Sequence, residues 1–310
     1  MKILIVCRYK ENHERHILPF IYEQGMALQA EGCEVKFFVI EGKGMTAYFK
    51  ERGRLVRQIE EFRPDVIHAH FGLSGVTATL QGKVPVVTTF HNGEVLSKGV
   101  NLLCSLFSLR AKYVIYVARH IYDKCYLKRR DRHCILPCGV NLDDYPLIPK
   151  EEARKELGFD PGKKYILFGG AFSNLRKNYP LLRDSLAILG RKDIEVLEMS
   201  GLTRPQVAKL MCACDLFALP SKSEGSPQAL KEAMACNCPI IATDIADVKH
   251  LLGNLPGHFL CSFDAEKLAG ELKEALAFEG RAGGRKRIVK LGLTNELIAR
   301  KLISIYESII

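Results

Sequence analysis

The 310-residue sequence predicts an α/β protein with two doubly wound parallel-sheet domains facing one cleft. Three observations carry that reading. Short apolar segments alternate with amphipathic ones through both halves, as in repeated β-α-β units whose sheet is covered on both faces. The length suits two domains of about 100–200 residues each. Between the two series, residues 141–162 are rich in Pro, Asp, Lys and Glu, including Pro146, Pro149 and Pro161. The expected organisation is a first domain over 1–147, a linker over 148–162 and a second domain over 163–310, the last helix being also placed to pack back on the first domain.

In the first series Lys2 to Cys7 reads as a strand and Ile17 to Glu31 as a helix, with Phe20, Ile21, Met26 and Leu28 at helical spacing and Gly32 as its stop. Glu34 to Ile40 is the next strand, and Thr46 to Phe62 one amphipathic helix with Leu55, Val56 and Ile59 on one side. Pro64 to His70, Val84 to Phe90, Tyr113 to Val117 and Cys134 to Pro137 complete the strands. The second series gives strand Tyr165 to Phe168, helix Tyr179 to Leu189, strand Ile194 to Met199 and helix Arg204 to Cys212. Strand Leu216 to Pro220, helix Pro227 to Cys236, strand Pro239 to Thr243 and two terminal helices follow.

Composition narrows the class. Hydrophobic residues at 47% and charged residues at 26% exclude a disordered tail or a fibre. No apolar run approaches the roughly 18 residues of a membrane span, and the run from Met1 to Val6 is too short for a signal peptide, so a cytoplasmic protein is expected. The eleven cysteines form no C-x-x-C pair and read as reduced, buried thiols. His68 and His70 share one strand face but lack a third ligand, so no metal is expected. Net charge is +10, concentrated in the first half, which suits a phosphorylated substrate, anionic lipid or nucleic acid. Aromatic content of 8%, no Trp and no stacking motif weigh against nucleic acid.

Two loops carry the chemistry. Leu219 to Pro227 ends a strand, turns through small residues and opens a helix, where amide groups and the helix dipole favour a phosphate. Glu224 precedes that helix and Glu232 lies about two turns inside it, so the two can share a face and accept hydrogen bonds from sugar hydroxyls. By themselves they fit equally a capping glutamate and a surface one. Phe168 to Asn178 is a second such loop: Gly169 and Gly170 let the backbone approach a ligand, and Arg176 and Lys177 can neutralise a diphosphate.

With Asp65-Val66-Ile67-His68-Ala69-His70, Thr89-Phe90-His91-Asn92-Gly93, Pro137-Cys138-Gly139-Val140-Asn141 and the Glu-x7-Glu element Glu224…Glu232 in this order, nearly the whole chain resembles the retaining glycosyltransferases of family 4, which have the GT-B architecture of two Rossmann-like domains. The likeness is greatest to bacterial enzymes of capsule, O-antigen and exopolysaccharide synthesis. It implies a hexosyltransferase that moves a sugar from a nucleotide-sugar donor, such as a UDP- or GDP-sugar, to a saccharide or lipid-linked acceptor, with no cofactor and no metal. Position by position, it implies that Gly170, Arg176 and Lys177 hold the donor diphosphate with Gly225 and Ser226, that Glu224 contacts the transferred sugar, and that Glu232 binds the ribose. His91 would stand beside the reacting centre, so His91 and Glu224 are the expected catalytic pair.

Three departures from the family pattern stand out. Cys7-Arg8-Tyr9-Lys10 replaces a glycine-bearing loop, leaving Arg8 as an alternative phosphate contact. Ala171 stands where the family has an arginine, leaving Arg176 as its substitute. The interval from Leu189 to Leu216 holds one strand-helix unit fewer. The rival readings are another GT-B enzyme, a nucleotide-sugar epimerase or phosphorylase, and a non-catalytic sugar- or nucleic-acid-binding protein. Val100 to Leu109 places Leu102, Leu103, Leu106 and Phe107 at helical spacing. Alone, this side reads as packing on the sheet; with the basic run Lys128 to His133 and the family resemblance, it implies peripheral binding to an anionic inner membrane face.

Overall fold

In the computed structural model, which describes residues 1–11, 16–42 and 44–310, the chain divides into two units. The first comprises residues 1–139 and 295–310, the second residues 140–294. The linker expected over 148–162 is therefore a correction: the division falls at 139/140, and residues 150–157 form a helix of the second unit. The second unit also stops at 294, not 310.

The first unit is built on strands β1 (Lys2–Arg8), β2 (Glu34–Ile40), β3 (Val66–His70), β4 (Val86–Phe90), β5 (Tyr113–Tyr116) and β6 (His133–Ile135). All pair in parallel, in the order β2-β1-β3-β4-β5-β6. Every residue of β3 and β4 is buried, so neither strand alternates between a core face and a solvent face. Helices α1 (Pro19–Ala30), α2 (Thr46–Lys50), α3 (Arg52–Phe62), α4 (Gly72–Thr79), α5 (Lys98–Ser108) and α6 (Arg119–Lys124) connect them. The single helix expected over Thr46 to Phe62 is thus two, α2 and α3, meeting at Glu51.

Helix α5 reverses the expectation that its leucines face the sheet. Its buried side is Asn101, Cys104, Ser105 and Ser108, while Leu102 and Leu106 are 53% and 52% exposed and Leu109 is exposed beyond them. The cause is the close approach of α4: a Cβ on Gly72 would lie 2.6 Å from that of Cys104, so only small side chains fit between the helices. The buried polar groups are satisfied. Asn101 Nδ2 donates to the Lys124 carbonyl, Ser105 Oγ to Asn101 Oδ1, and Ser108 Oγ to the Ser105 carbonyl.

The second unit holds α7 (Lys150–Leu157), β7 (Lys164–Phe168), α8 (Tyr179–Leu189), β8 (Ile194–Glu198), α9 (Arg204–Ala213), β9 (Leu216–Leu219) and α10 (Gln228–Ala235). After these come β10 (Ile240–Thr243), α11 (Val248–Leu252), β11 (His258–Cys261), α12 (Ala265–Ala277) and α13 (Gly284–Lys290). The sheet is parallel, in the order β11-β10-β9-β7-β8. One strand and one helix separate α8 from β9, matching the short interval in the sequence. Asp215 ties α7 to the sheet: it is buried, pairs with Lys150 at 2.7 Å and Arg154 at 2.6 Å, and accepts the Tyr165 N–H. The last helix, α14 (Asn295–Glu307), returns to the first unit and packs on α1.

Candidate active site

In the second unit, the carboxyl ends of β7 and β9 carry the two loops that the sequence singles out. The loop after β7 turns at Gly169 and Gly170 and runs to Asn178, whose φ of 64 starts α8. Gly170 has a steric reason to be glycine: an added Cβ would meet Lys177 Cγ at 2.9 Å. The lysine stem lies over that backbone and delivers its ammonium to Glu224 Oε1 at 2.7 Å. Ser221 Oγ donates to the same oxygen at 2.8 Å, and both members of the ion pair are largely shielded from solvent. Gly170, Lys177 and Glu224 are therefore brought together. The Arg176 side chain is exposed, and its carbonyl accepts the Lys222 N–H, linking the two loops.

Helix α10 begins directly after Pro227, with its first-turn amides at the end of the second loop. Gly225 and Ser226 sit partly exposed just before it. Ser226 Oγ donates to Asp247 Oδ2 at 2.7 Å, and Asp247 follows Ala246, a non-glycine residue at φ 53. Burial pushes the Asp247 carboxyl up, with Ser226 and Lys231 opposing. Glu232 is raised too: burial dominates, against Arg204, Tyr145 and Lys231. Lys231 is fully buried beside these acids, a charge kept inside only because they compensate it. Asp247 escaped the sequence reading; a carboxylate after a strand looks like any turn residue there.

His91 belongs to the first unit, whereas Gly170, Lys177, Glu224 and Glu232 belong to the second. It follows β4 between two strained residues, Phe71 at φ 70 and Asn92 at φ 109. Such conformations cost about 1–3 kcal/mol each and cluster at functional sites. The strain is held by Glu94, a buried carboxylate that accepts the Gly72 N–H at 2.8 Å and the His91 N–H at 3.1 Å. Burial raises the Glu94 carboxyl, and the backbone N–H groups around it oppose the shift. Sequence reasoning missed Glu94; an acid one residue after Asn92-Gly93 was the available signal. His70 Nδ1 lies 3.1 Å from His91 Nε2, and the rings of Phe20 and Phe71 flank His91.

Two other residues have structural partners. Arg8 donates to the Glu41 and Gly42 carbonyls and lies over the Tyr48 ring, so its guanidinium is engaged by the loop after β2. His68 is buried against Thr89 and Tyr306, and no three His, Cys, Asp or Glu side chains converge as metal ligands among the described residues.

Sucrose-phosphate synthase from Thermosynechococcus elongatus superposes over 99% of this chain and 98% of its own, with a TM-score of 0.82 at 19% identity. Anabaena HepE in complex with UDP and glucose gives 0.76 at 15% identity, over 99% and 100%. The fold is that of the GT-B glycosyltransferases, with two Rossmann-like units. Residues 10–144 match the family model described as Glycosyltransferase Family 4, and residues 163–277 the one described as Glycosyl transferases group 1. The chain belongs to the family 4 type of glycosyltransferases. TuaC of Bacillus subtilis, named for teichuronic acid biosynthesis, is 29% identical over 216 residues, 61% of this chain and 56% of its own length. D-inositol 3-phosphate glycosyltransferase of Pseudarthrobacter chlorophenolicus is 26% identical over 253 residues, 64% and 60%. The chain thus spans less than two-thirds of the length of these relatives.

Proposed function

We propose that this protein transfers a sugar from a nucleotide-sugar donor, with retention of anomeric configuration, to a saccharide or lipid-linked acceptor in cell-surface polysaccharide synthesis. The observation that carries the proposal is the Lys177 ammonium, laid over Gly170 and parked on Glu224 at the carboxyl ends of β7 and β9. A cation held there can exchange its carboxylate for a donor diphosphate. Lys177, Arg176 and the first amides of α10 then meet the phosphate charge, with no divalent ion in the scheme. Glu224, released from Lys177, faces the transferred sugar; Glu232 accepts from the ribose. The acceptor enters from the first unit, where His91 stands beside the reacting centre. HepE, solved with UDP and glucose, supports a UDP-type donor, and the name of TuaC supports a cell-surface product.

The test is thermal shift against UDP-, GDP- and ADP-sugars, followed by release of nucleoside diphosphate. A donor at 100 times its Kd adds about 2.7 kcal/mol of stability. Stabilisation without release would make the protein a binder. The two glutamates are expected to separate: Glu232→Ala weakens free nucleoside diphosphate and donor alike, by about 10-fold for one lost hydrogen bond to a charged group. Glu224→Ala leaves the free nucleotide bound and lowers turnover. Calorimetry showing both variants with the same loss on both ligands would overturn these roles.

Membrane placement belongs to the same proposal. The outward leucines Leu102, Leu106 and Leu109 lie along one face of α5, with Lys98, Arg110 and Lys112 exposed around them. Unlike Arg130 and Arg132, which are exposed, Arg129 is spent on the Leu109 and Ala111 carbonyls. The apolar strip with a cationic rim fits an anionic lipid surface, each basic residue near it contributing about 1 kcal/mol. Sedimentation with anionic vesicles is expected to be strong at low salt and lost at high salt, and abolished by Leu102→Ser with Leu106→Ser. Equal binding to neutral vesicles, or an unaffected double variant, would reassign the strip.

A further inference from the structure

The first unit contains a chain of buried polar groups that the proposed reaction does not by itself require. His68 and His70, adjacent on one face of β3, stack at 4.4 Å and are completely buried. Gln24 of α1 places its amide nitrogen 3.4 Å from His68 Nδ1 and 3.5 Å from His70 Nε2. An amide NH2 donates only, so both ring nitrogens accept. Burial keeps both rings neutral, His68 pushed down to about 3 and His70 well below its ordinary value, so each carries one N–H. On His68 that hydrogen sits on Nε2 and goes to Thr89 Oγ1 at 2.7 Å, while the Tyr306 hydroxyl of α14 donates to Nδ1 at 2.6 Å. On His70 it sits on Nδ1 and points at His91 Nε2, 3.1 Å away.

From this network we infer that His70 is a positioning residue that fixes His91 as its Nδ1–H tautomer. His91 Nε2 is the acceptor in the pair, so the proton of neutral His91 is on Nδ1. The backbone of His91 is set separately, by the Glu94 carboxylate on its N–H. Phe20 from α1 and Phe71 before α4 hold the ring from its sides. In a transferase site this makes His91 a donor toward a sugar hydroxyl or phosphate oxygen, and not a base. That last consequence rests on the proposed function; the tautomer does not.

The experiment is long-range 1H–15N correlation on the full chain with 15N-labelled histidine at pH 8, His91 being assigned by the disappearance of its signals in His91→Gln. The expected pattern is Nδ1–H for His91; an Nε2–H pattern overturns the assignment. His70→Asn retains an amide donor toward His91, whereas His70→Leu removes it. In the leucine variant His91 should show both tautomers, and kcat should fall on the order of 10–100-fold with the donor KM within about threefold. The asparagine variant should recover most of that loss. Equal losses in both variants, with an unchanged His91 pattern, would leave His70 a packing residue and overturn the inference. A protein that shows the Nδ1–H pattern but transfers no sugar supports the assignment while overturning the transferase reading.

Discussion

Lys177→Ala is expected to slow transfer by about 10²–10³-fold, the range found when a single preorganised donor to a developing oxyanion is removed. Donor binding should weaken less, about 10–100-fold, from a charge-assisted bond worth roughly 1.5–3 kcal/mol. The gap between the two is informative. In the proposed transfer a leaving diphosphate gains negative charge as the glycosidic bond stretches, so a cation beside it would matter more in the transition state than in the ground state. Lys177→Ala also leaves Glu224 without its partner at 2.7 Å, so part of any loss could come from the stranded carboxylate. The double variant Lys177→Ala with Glu224→Gln separates the two: if it recovers donor affinity relative to Lys177→Ala, the carboxylate was repelling the diphosphate. Calorimetric donor affinity unchanged in Lys177→Ala would take this lysine out of the site.

Asp215→Ala is expected to be the most destabilising single change, by about 3–5 kcal/mol, because it strands Lys150 and Arg154 beside a buried position and leaves the Tyr165 N–H unpaired. For a unit of this size that corresponds to roughly 6–20 °C in the calorimetric transition. The effect has a pH signature. Burial acts to raise the carboxyl, but Lys150, the Tyr165 N–H and Arg154 outweigh it and hold the group below the ordinary carboxylate range. Its stabilisation is therefore complete above the unfolded value of about 3.9 and is lost as pH falls through the folded value. The difference between wild type and variant should shrink below about pH 4. A difference of less than about 1 kcal/mol at neutral pH would mean that the cluster behaves as a surface ion pair.

How much of this was legible in the sequence depended on whether a segment's surroundings could be inferred from its own residues. Helix α8 was read to its ends because Pro180 marks its start and Gly190, at φ 69, its stop. Strands β7, β9 and β10 were read because buried parallel strands are apolar almost throughout. Helix α4 was not read: Gly72–Thr79 mixes glycine, small polar and apolar residues, is buried almost throughout, and follows a phenylalanine at φ 70. The face of α5 was misread for a related reason. Its serines and asparagine are satisfied by one another and by a carbonyl of α6, a fact visible only after folding. Helix α7 carried its signals, Glu151 and Glu152 in the first turn and Gly158 at the end, yet its proline and charge content suggested a linker. In the site, Lys177 and Glu224 were legible from glycine-bearing loops, whereas Glu94 and Asp247 act through backbone groups and one hydroxyl that no local pattern announces.

The return of α14 to the first unit has a consequence for how the chain matures on the ribosome. Residues 140–294 are threaded into the first unit as an insertion, so the first unit is not finished when its sixth strand emerges. It waits for the whole insertion to be made, on the order of 8–30 s at about 5–20 residues per second. During that interval the Tyr306 hydroxyl that closes over His68 does not yet exist, and the surface of α1 that α14 will cover is open to water and to chaperones. The inserted unit, continuous in sequence, can complete its own sheet meanwhile. The nascent chain therefore holds the whole of its second unit before α14 is added to its first.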